Sequence, residues 1–205
     1  MKSKKIVYVP LAVDILHTGH LNIINKARKY GKVVIGLLSD SAISEYKELP
    51  ALDFQERFKI VSNLKNVSRI IKQDTWDYTN VINTLKPNFF IHGDDWKTGV
   101  QKKTRKKVIL LLKKNRGKLI EIPYTKNISS SSIKSNLVEN LTPLTRTSIL
   151  KRLIKNKKIV RVLEAHSPLS GLITENLKVN SKNSIEQFEG MWSSSLTDSS
   201  LKGKP

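Results

Sequence analysis

His17-Thr18-Gly19-His20 sets two imidazoles around a glycine, and far downstream Ile128-Ser129-Ser130-Ser131-Ser132 supplies a run of hydroxyls. Residues at i and i+3 share one side of a helix's first turn, so both rings can face one ligand. A helix N-terminus attracts anions, and imidazoles placed there can donate to phosphate oxygens as charge builds in a transition state. Gly19 admits a phosphate close to the backbone. The chain has only four histidines, and two of them fall in this motif. The chemistry such a set suits is holding a nucleoside triphosphate while its α-phosphorus is attacked.

These residues need a strand end and a helix start to hold them. Lys5-Ile6-Val7-Tyr8-Val9 has the apolar, β-branched content of a buried parallel strand, and the apolar positions of Leu21 to Ala27 recur at helical spacing. Val33 to Leu38 reads as a second buried strand, Phe54 to Leu64 as a helix and Val67 to Ile71 as a short strand. Trp76 to Leu85 reads as a helix ending before Pro87, and Asn88 to His92 as a strand. A lysine-rich amphipathic helix follows within 97–118, then a strand over Leu119 to Ile122 and a helix from about Ser130. This alternation predicts an α/β fold, a parallel sheet wound with helices on both faces. Ligands of such sheets bind beyond the carboxyl ends of the strands, where the histidine and serine motifs both fall.

Further candidates sit at strand ends too. His92-Gly93-Asp94-Asp95-Trp96 offers a close-approach glycine, two carboxylates for ribose or for waters around Mg²⁺, and an aromatic face. Lys47, in a loop after the second strand, could close over phosphates. Ile133, Leu137 and Val138 follow the serines at helical spacing, so the hydroxyls occupy a first helical turn.

Composition bounds the rest. The 205 residues hold one full domain plus a remnant. The absence of cysteine excludes disulfides, thiolate nucleophiles and cysteine zinc sites, and fits a reducing cytoplasm. No run approaches transmembrane length, and Pro10 and Asp14 break the apolar stretch that could otherwise imitate a signal peptide. The net charge of +20, from 37 basic and 17 acidic residues, would suit a nucleic-acid binder. It is spread as lysine along helices with few aromatics interleaved, however, so nucleic acid is not the expected partner.

In order and spacing, the histidine motif, Lys47, Glu56-Arg57, His92 to Asp95 and the serine run resemble the cytidylyltransferases that activate phosphocholine, phosphoethanolamine or glycerol 3-phosphate. The resemblance spans 5 to about 138 and implies a Rossmann-like sheet, CTP bound with Mg²⁺, and a homodimer as one arrangement. His17 and His20 would stabilise the transition state with Lys47 on phosphate or acceptor. Asp14, Gly19, Arg57, Gly93, Asp94 and Asp95 would build the nucleotide pocket, and Thr125, Lys126, Ser129, Ser130 and Ser131 would meet the phosphates. Two strings depart from the family. Its Gly-Thr-Phe-Asp is here Leu11-Ala12-Val13-Asp14, and its Arg-Thr-x-Gly is Tyr124-Thr125-Lys126-Asn127, with Lys126 standing in for the arginine.

After a linker and basic helix over 139–158 come Arg161-Val162-Leu163-Glu164-Ala165-His166-Ser167-Pro168-Leu169-Ser170-Gly171 and Phe188-Glu189-Gly190-Met191-Trp192-Ser193-Ser194-Ser195-Leu196-Thr197-Asp198-Ser199, which together resemble the opening of phosphoenolpyruvate mutase, a TIM-barrel enzyme. Trp192, Ser194 and Leu196 would help line its phosphonate site. The chain ends at Pro205, short of the roughly 250 residues of such a barrel. An incomplete barrel over 159–205 without mutase activity is therefore expected, with Leu163, Leu172, Ile173 and Trp192 lacking a core. The fusion resembles bifunctional enzymes of phosphonate biosynthesis, which implies CMP transfer from CTP to 2-aminoethylphosphonate or 2-hydroxyethylphosphonate. A phosphomonoester acceptor, a non-catalytic nucleotide-binding module and a nucleic-acid-directed adenylylating enzyme are the alternatives.

Overall fold

Five apolar strands come together as one parallel sheet in the order β3-β2-β1-β4-β5. The computed structural model describes residues 5–98, 101–123, 143–180, 185–193 and 199–200. The strands are β1 (Ile6–Leu11), β2 (Lys32–Leu38), β3 (Val67–Gln73), β4 (Phe89–Gly93) and β5 (Lys118–Ile122). Between them lie α1 (Thr18–Ala27), α2 (Asp40–Ser44), α3 (Phe54–Ser62), α4 (Thr79–Leu85) and α5 (Lys102–Lys114). Ile24 and Ala27 of α1 and Val61 of α3 pack with Val7, Val9 and Ile35 on one face of the sheet. Ile82 of α4 and Val108 and Leu112 of α5 pack with Tyr8, Val34 and Phe90 on the other. Helices on both faces explain why the strands read as nearly unbroken apolar runs.

Two details depart from the sequence reading. The helix expected from Trp76 begins only at Thr79, because Asp77 turns back to accept from the Thr79 amide and hydroxyl, and Gln73 Nε2 donates to the carbonyls of Thr75 and Asp77. The short α2 has no apolar periodicity of its own and is started by the Ser39 side chain, which accepts from Ala42 N. The helix expected from Ser130 lies outside the described residues.

Gly36 shows how tightly the sheet is built. A Cβ there would overlap the Tyr8 phenol, whose hydroxyl donates to Gln73 Oε1 at 2.9 Å across β2. Gly36→Ala must displace a fully buried tyrosine from its partner. We expect it to cost about 1–3 kcal/mol, read as a lower urea midpoint at unchanged slope.

The segment after β5 differs from the expected barrel. Helix α6 (Pro143–Asn156) lies against α2 and buries Leu153. Beyond it come β6 (Val162–Glu164), α7 (Pro168–Asn176), β7 (Lys178–Asn180), β8 (Ile185–Gln187) and β9 (Gly190–Trp192). A barrel would place β7 parallel beside β6. Instead β7 forms an antiparallel pair with β8, and β6 pairs in parallel with β9. The incomplete TIM-barrel fragment is therefore corrected to two separate two-stranded ribbons. Three-residue strands without covering layers cannot bury both faces of a parallel sheet. In keeping with a missing core, Leu163, Leu172, Ile173 and Trp192 are 37, 59, 52 and 64 % exposed.

Candidate active site at the sheet's switch point

From β1 the chain winds outward through β2 and β3, then crosses back to β4 on the other side of β1. The carboxyl ends of β1 and β4 thus flank the point where strand order reverses, the place where such sheets leave a crevice. The loop after β1 carries the paired histidines, and the 3-10 turn Asp94–Lys97 follows β4.

The histidines are organised by the helix they begin. His17 is the N-cap of α1, and its Nδ1 accepts from the Gly19 amide at 3.1 Å. His20 Nδ1 accepts in turn from the His17 amide at 3.4 Å, closing a reciprocal capping box. The rings lie 4.0 Å apart. Because each Nδ1 is an acceptor, a neutral ring carries its proton on Nε2 and presents an outward donor. Burial lowers the pKa of both rings, and that of His20, which also feels the Lys47 charge, falls to about 3.

Lys47 belongs to the same cluster. It is exposed just past α2, where its amide bonds to Ile43 O, and its charge is felt by both His20 and His92. His92 lies flat on Trp96, 3.9 Å between ring centroids, with Nδ1 2.9 Å from Gly93 O. Trp96 is fixed from behind, since its indole N–H donates to Glu121, which Arg105 grips with two bonds. Those donors hold the Glu121 carboxyl down at about 2, so it stays charged. Asp95 is half exposed, 3.7 Å from His92, and a Cβ on Gly93 would press its carboxylate. Asp94 occupies the first position of the same turn.

Arg57 and Asp14 shape the crevice from beneath. Arg57 is fully buried; Nη1 donates to the carbonyls of Ala12 and Leu38, Nε to Leu52, and Nη2 to Asp40 at 2.6 Å. It ties the ends of β1 and β2 to the loop after α2, so its bonds are spent on protein rather than presented to a ligand. Asp14 Oδ1 accepts from the Ala51 amide, joining the histidine loop to the same segment. Between Ala12 and Asp14, buried Val13 is left-handed at φ 50°. For a β-branched residue that is strained, and such strain persists where neighbours fix both sides.

The structure thus gathers His17, Gly19, His20, Lys47, Gly93, Asp94 and Asp95 about one crevice, with Asp14 and Arg57 as its supports. Thr125, Lys126, Ser129, Ser130 and Ser131 lie outside the described residues, as do Ser194 and Leu196. Trp192 is exposed on β9, which pairs with β6. Sequence reading missed Asp40, Glu121 and Arg152. Asp40 stood right after β2 and was within reach of a strand-end argument, whereas the other two gave no local signal.

The sheet is a Rossmann-like α/β fold with paired histidines at its switch point. Residues 13–136 match the family described as cytidylyltransferase-like, and the chain belongs to that family. It is 32% identical over 147 residues to the bifunctional protein HldE of Helicobacter hepaticus, covering 68% of this chain and 29% of that protein. It is 28% identical over 134 residues to the ethanolamine-phosphate cytidylyltransferase of Dictyostelium discoideum, covering 64% of this chain and 36% of that protein. The chain thus spans between about a quarter and two fifths of these two relatives' lengths. A lipopolysaccharide core biosynthesis protein from Thermoplasma volcanium shares the fold at TM-score 0.51 and 23% identity, over 62% of this chain and all of that one. No helix among the described residues is long and apolar enough to cross a membrane.

Proposed function

We propose that the chain transfers CMP from CTP to an oxygen of a small phosphonate, 2-aminoethylphosphonate or 2-hydroxyethylphosphonate, releasing pyrophosphate. The observation that carries nucleotidyl transfer is the pair of neutral imidazoles whose Nδ1 atoms are both occupied, leaving two Nε2–H donors at the switch point. The acceptor oxygen, anionic at neutral pH, forms a bond to the α-phosphorus as the bond from that phosphorus to the bridging oxygen breaks. The electron pair leaves on pyrophosphate, so no strong general base is needed. His17 and His20 donate to phosphate oxygens whose charge grows in the transition state, and Lys47 draws the leaving phosphates. Mg²⁺ arriving with CTP would neutralise phosphate charge, and Asp94 and Asp95 would meet its waters.

The phosphonate choice rests on the mutase-like strings Arg161 to Gly171 and Trp192-Ser193-Ser194-Ser195-Leu196-Thr197-Asp198. Similarity to an ethanolamine-phosphate cytidylyltransferase favours a phosphomonoester acceptor in the same site. Pyrophosphate release from the four nucleoside triphosphates, each offered phosphonates and phosphomonoesters, decides between them. CTP with a phosphonate should turn over fastest; faster turnover with phosphoethanolamine selects the second acceptor, and silence with every pair removes transferase activity. If Lys47 and the serine turn hold the leaving group, Lys47→Ala and Ser130→Ala should weaken CTP binding about tenfold yet leave CMP binding nearly unchanged, by calorimetry. Equal losses for both nucleotides would move these residues to packing or base recognition.

A further inference from the structure

The loop that follows Lys47 is held by a residue about a hundred positions away. Arg152 of α6 donates from Nη1 to Ala51 O and from Nη2 to Pro50 O, each at 2.8 Å. Its Nη2 also lies 3.6 Å from Asp40 Oδ2, so Asp40 stands between the guanidiniums of Arg152 and Arg57. From the other side the same loop is gripped by Asp14, which accepts from Ala51 N, and by Arg57, which donates to Leu52 O. Around these bonds the tail adds more: Ser44 Oγ donates to Asn156 O at 3.3 Å, Lys178 pairs with Glu48 at 3.1 Å, and Leu153 is buried. Pro50 and Ala51 are therefore pinned between the histidine loop and the C-terminal helix, a few residues from Lys47.

We infer that helix α6 is part of the active-site scaffold and that Arg152 is a positioning residue, setting the loop from Lys47 to Leu52 so that the lysine faces the nucleotide phosphates. The inference rests on the nucleotidyl-transfer reading for its kinetic consequence and on geometry alone for the clamp. A guanidinium suits the task because its planar fork reaches two adjacent carbonyls at once, which an ammonium cannot do from one position. Without it, the loop keeps its bonds to Asp14 and Arg57 but loses its outer wall. Lys47 then samples more positions and less of its interaction is in place when the leaving group forms.

The test uses the full chain with Arg152→Gln and Arg152→Lys. Hydrogen exchange should quicken about tenfold or more in peptides spanning 45–53 in both variants, while peptides from β1, β2 and β4 stay as in the parent. In turnover, Arg152→Gln should lower kcat/KM for CTP about 10- to 100-fold, and Arg152→Lys should recover only part. Combining Arg152→Gln with Lys47→Ala should cost little more than Lys47→Ala alone, since one residue acts through the other. Unchanged exchange in 45–53 overturns the clamp, and fully additive losses overturn the positioning of Lys47. A parent chain that turns over no nucleotide, with exchange responding as described, overturns the proposed transfer while upholding the clamp. Should Arg152→Gln fail to fold, Arg152→Lys carries the same exchange and kinetic comparisons.

Discussion

Replacing either His17 or His20 by alanine is expected to lower kcat for CMP transfer by about 10²- to 10³-fold, with a much smaller change in CTP affinity. The donors act on charge that exists fully only in the transition state, so ground-state binding gives little sign of their loss. His17→Ala also removes the N-cap of α1, a structural cost of about 1 kcal/mol. His17→Asn separates the two roles, because asparagine caps a helix well but cannot place a donor where Nε2 lies. Near-normal turnover by His17→Asn and His20→Gln would remove the catalytic assignment. His20 also leaves a signature in stability. Its folded pKa of about 3 lies below the ordinary 6.5, so below 6.5 the unfolded chain takes up a proton that the folded chain refuses. Stability is then full above pH 6.5 and declines as pH falls toward 3, with His17 and His92 acting in the same direction. His20→Gln should flatten that decline in urea titrations run from pH 7 to pH 4; an unaltered slope would show that His20 is not held neutral.

Arg57→Met should be the most damaging single change to the fold. It strands the Asp40 carboxylate, which is 11% exposed, beside Arg152 alone and frees the carbonyls of Ala12, Leu38 and Leu52. Breaking a buried pair in this way costs about 3–5 kcal/mol, a large share of a domain's stability. CMP transfer should disappear with it, since the histidine loop and the Lys47 loop both hang on that guanidinium. Arg57→Lys should restore little, because one ammonium cannot serve three carbonyls and a carboxylate. Thermal melts with CTP turnover check this; a stable Arg57→Met protein with normal KM would show that the loops are held without it.

The five strands, most of the helices between them and the strand-end position of the paired histidines were legible from the chain. Val7, Val9, Ile35 and Leu37 are apolar and mostly β-branched because a parallel sheet covered on both faces offers them only core. That reason is local, so it was legible strand by strand. The pairing of His17 with His20 was legible as well, from i and i+3 spacing at a helix start. Less visible was that both Nδ1 atoms would be consumed as caps, which fixes the proton on Nε2.

The polar ties depend on contacts between distant elements, which helix spacing does not reach. The family resemblance makes Arg57 a residue of the nucleotide pocket, yet it is buried at the ends of β1 and β2, where its bonds make it an internal tie. Glu121 is one alternating residue of β5 until Trp96, from the turn after β4, and Arg105, from α5, converge on it. The tail is the plainest case. Its barrel-like string carries no information on which surface will cover it, and its ribbons settle by pairings that periodicity does not specify. Arg152 looks like one more lysine-helix cation, and only the folding of α6 onto α2 sets it against Pro50 and Ala51. Hydrophobic periodicity encodes which face of an element is buried, whereas the partner of a polar group is chosen by the packing of distant elements, and no local pattern records it.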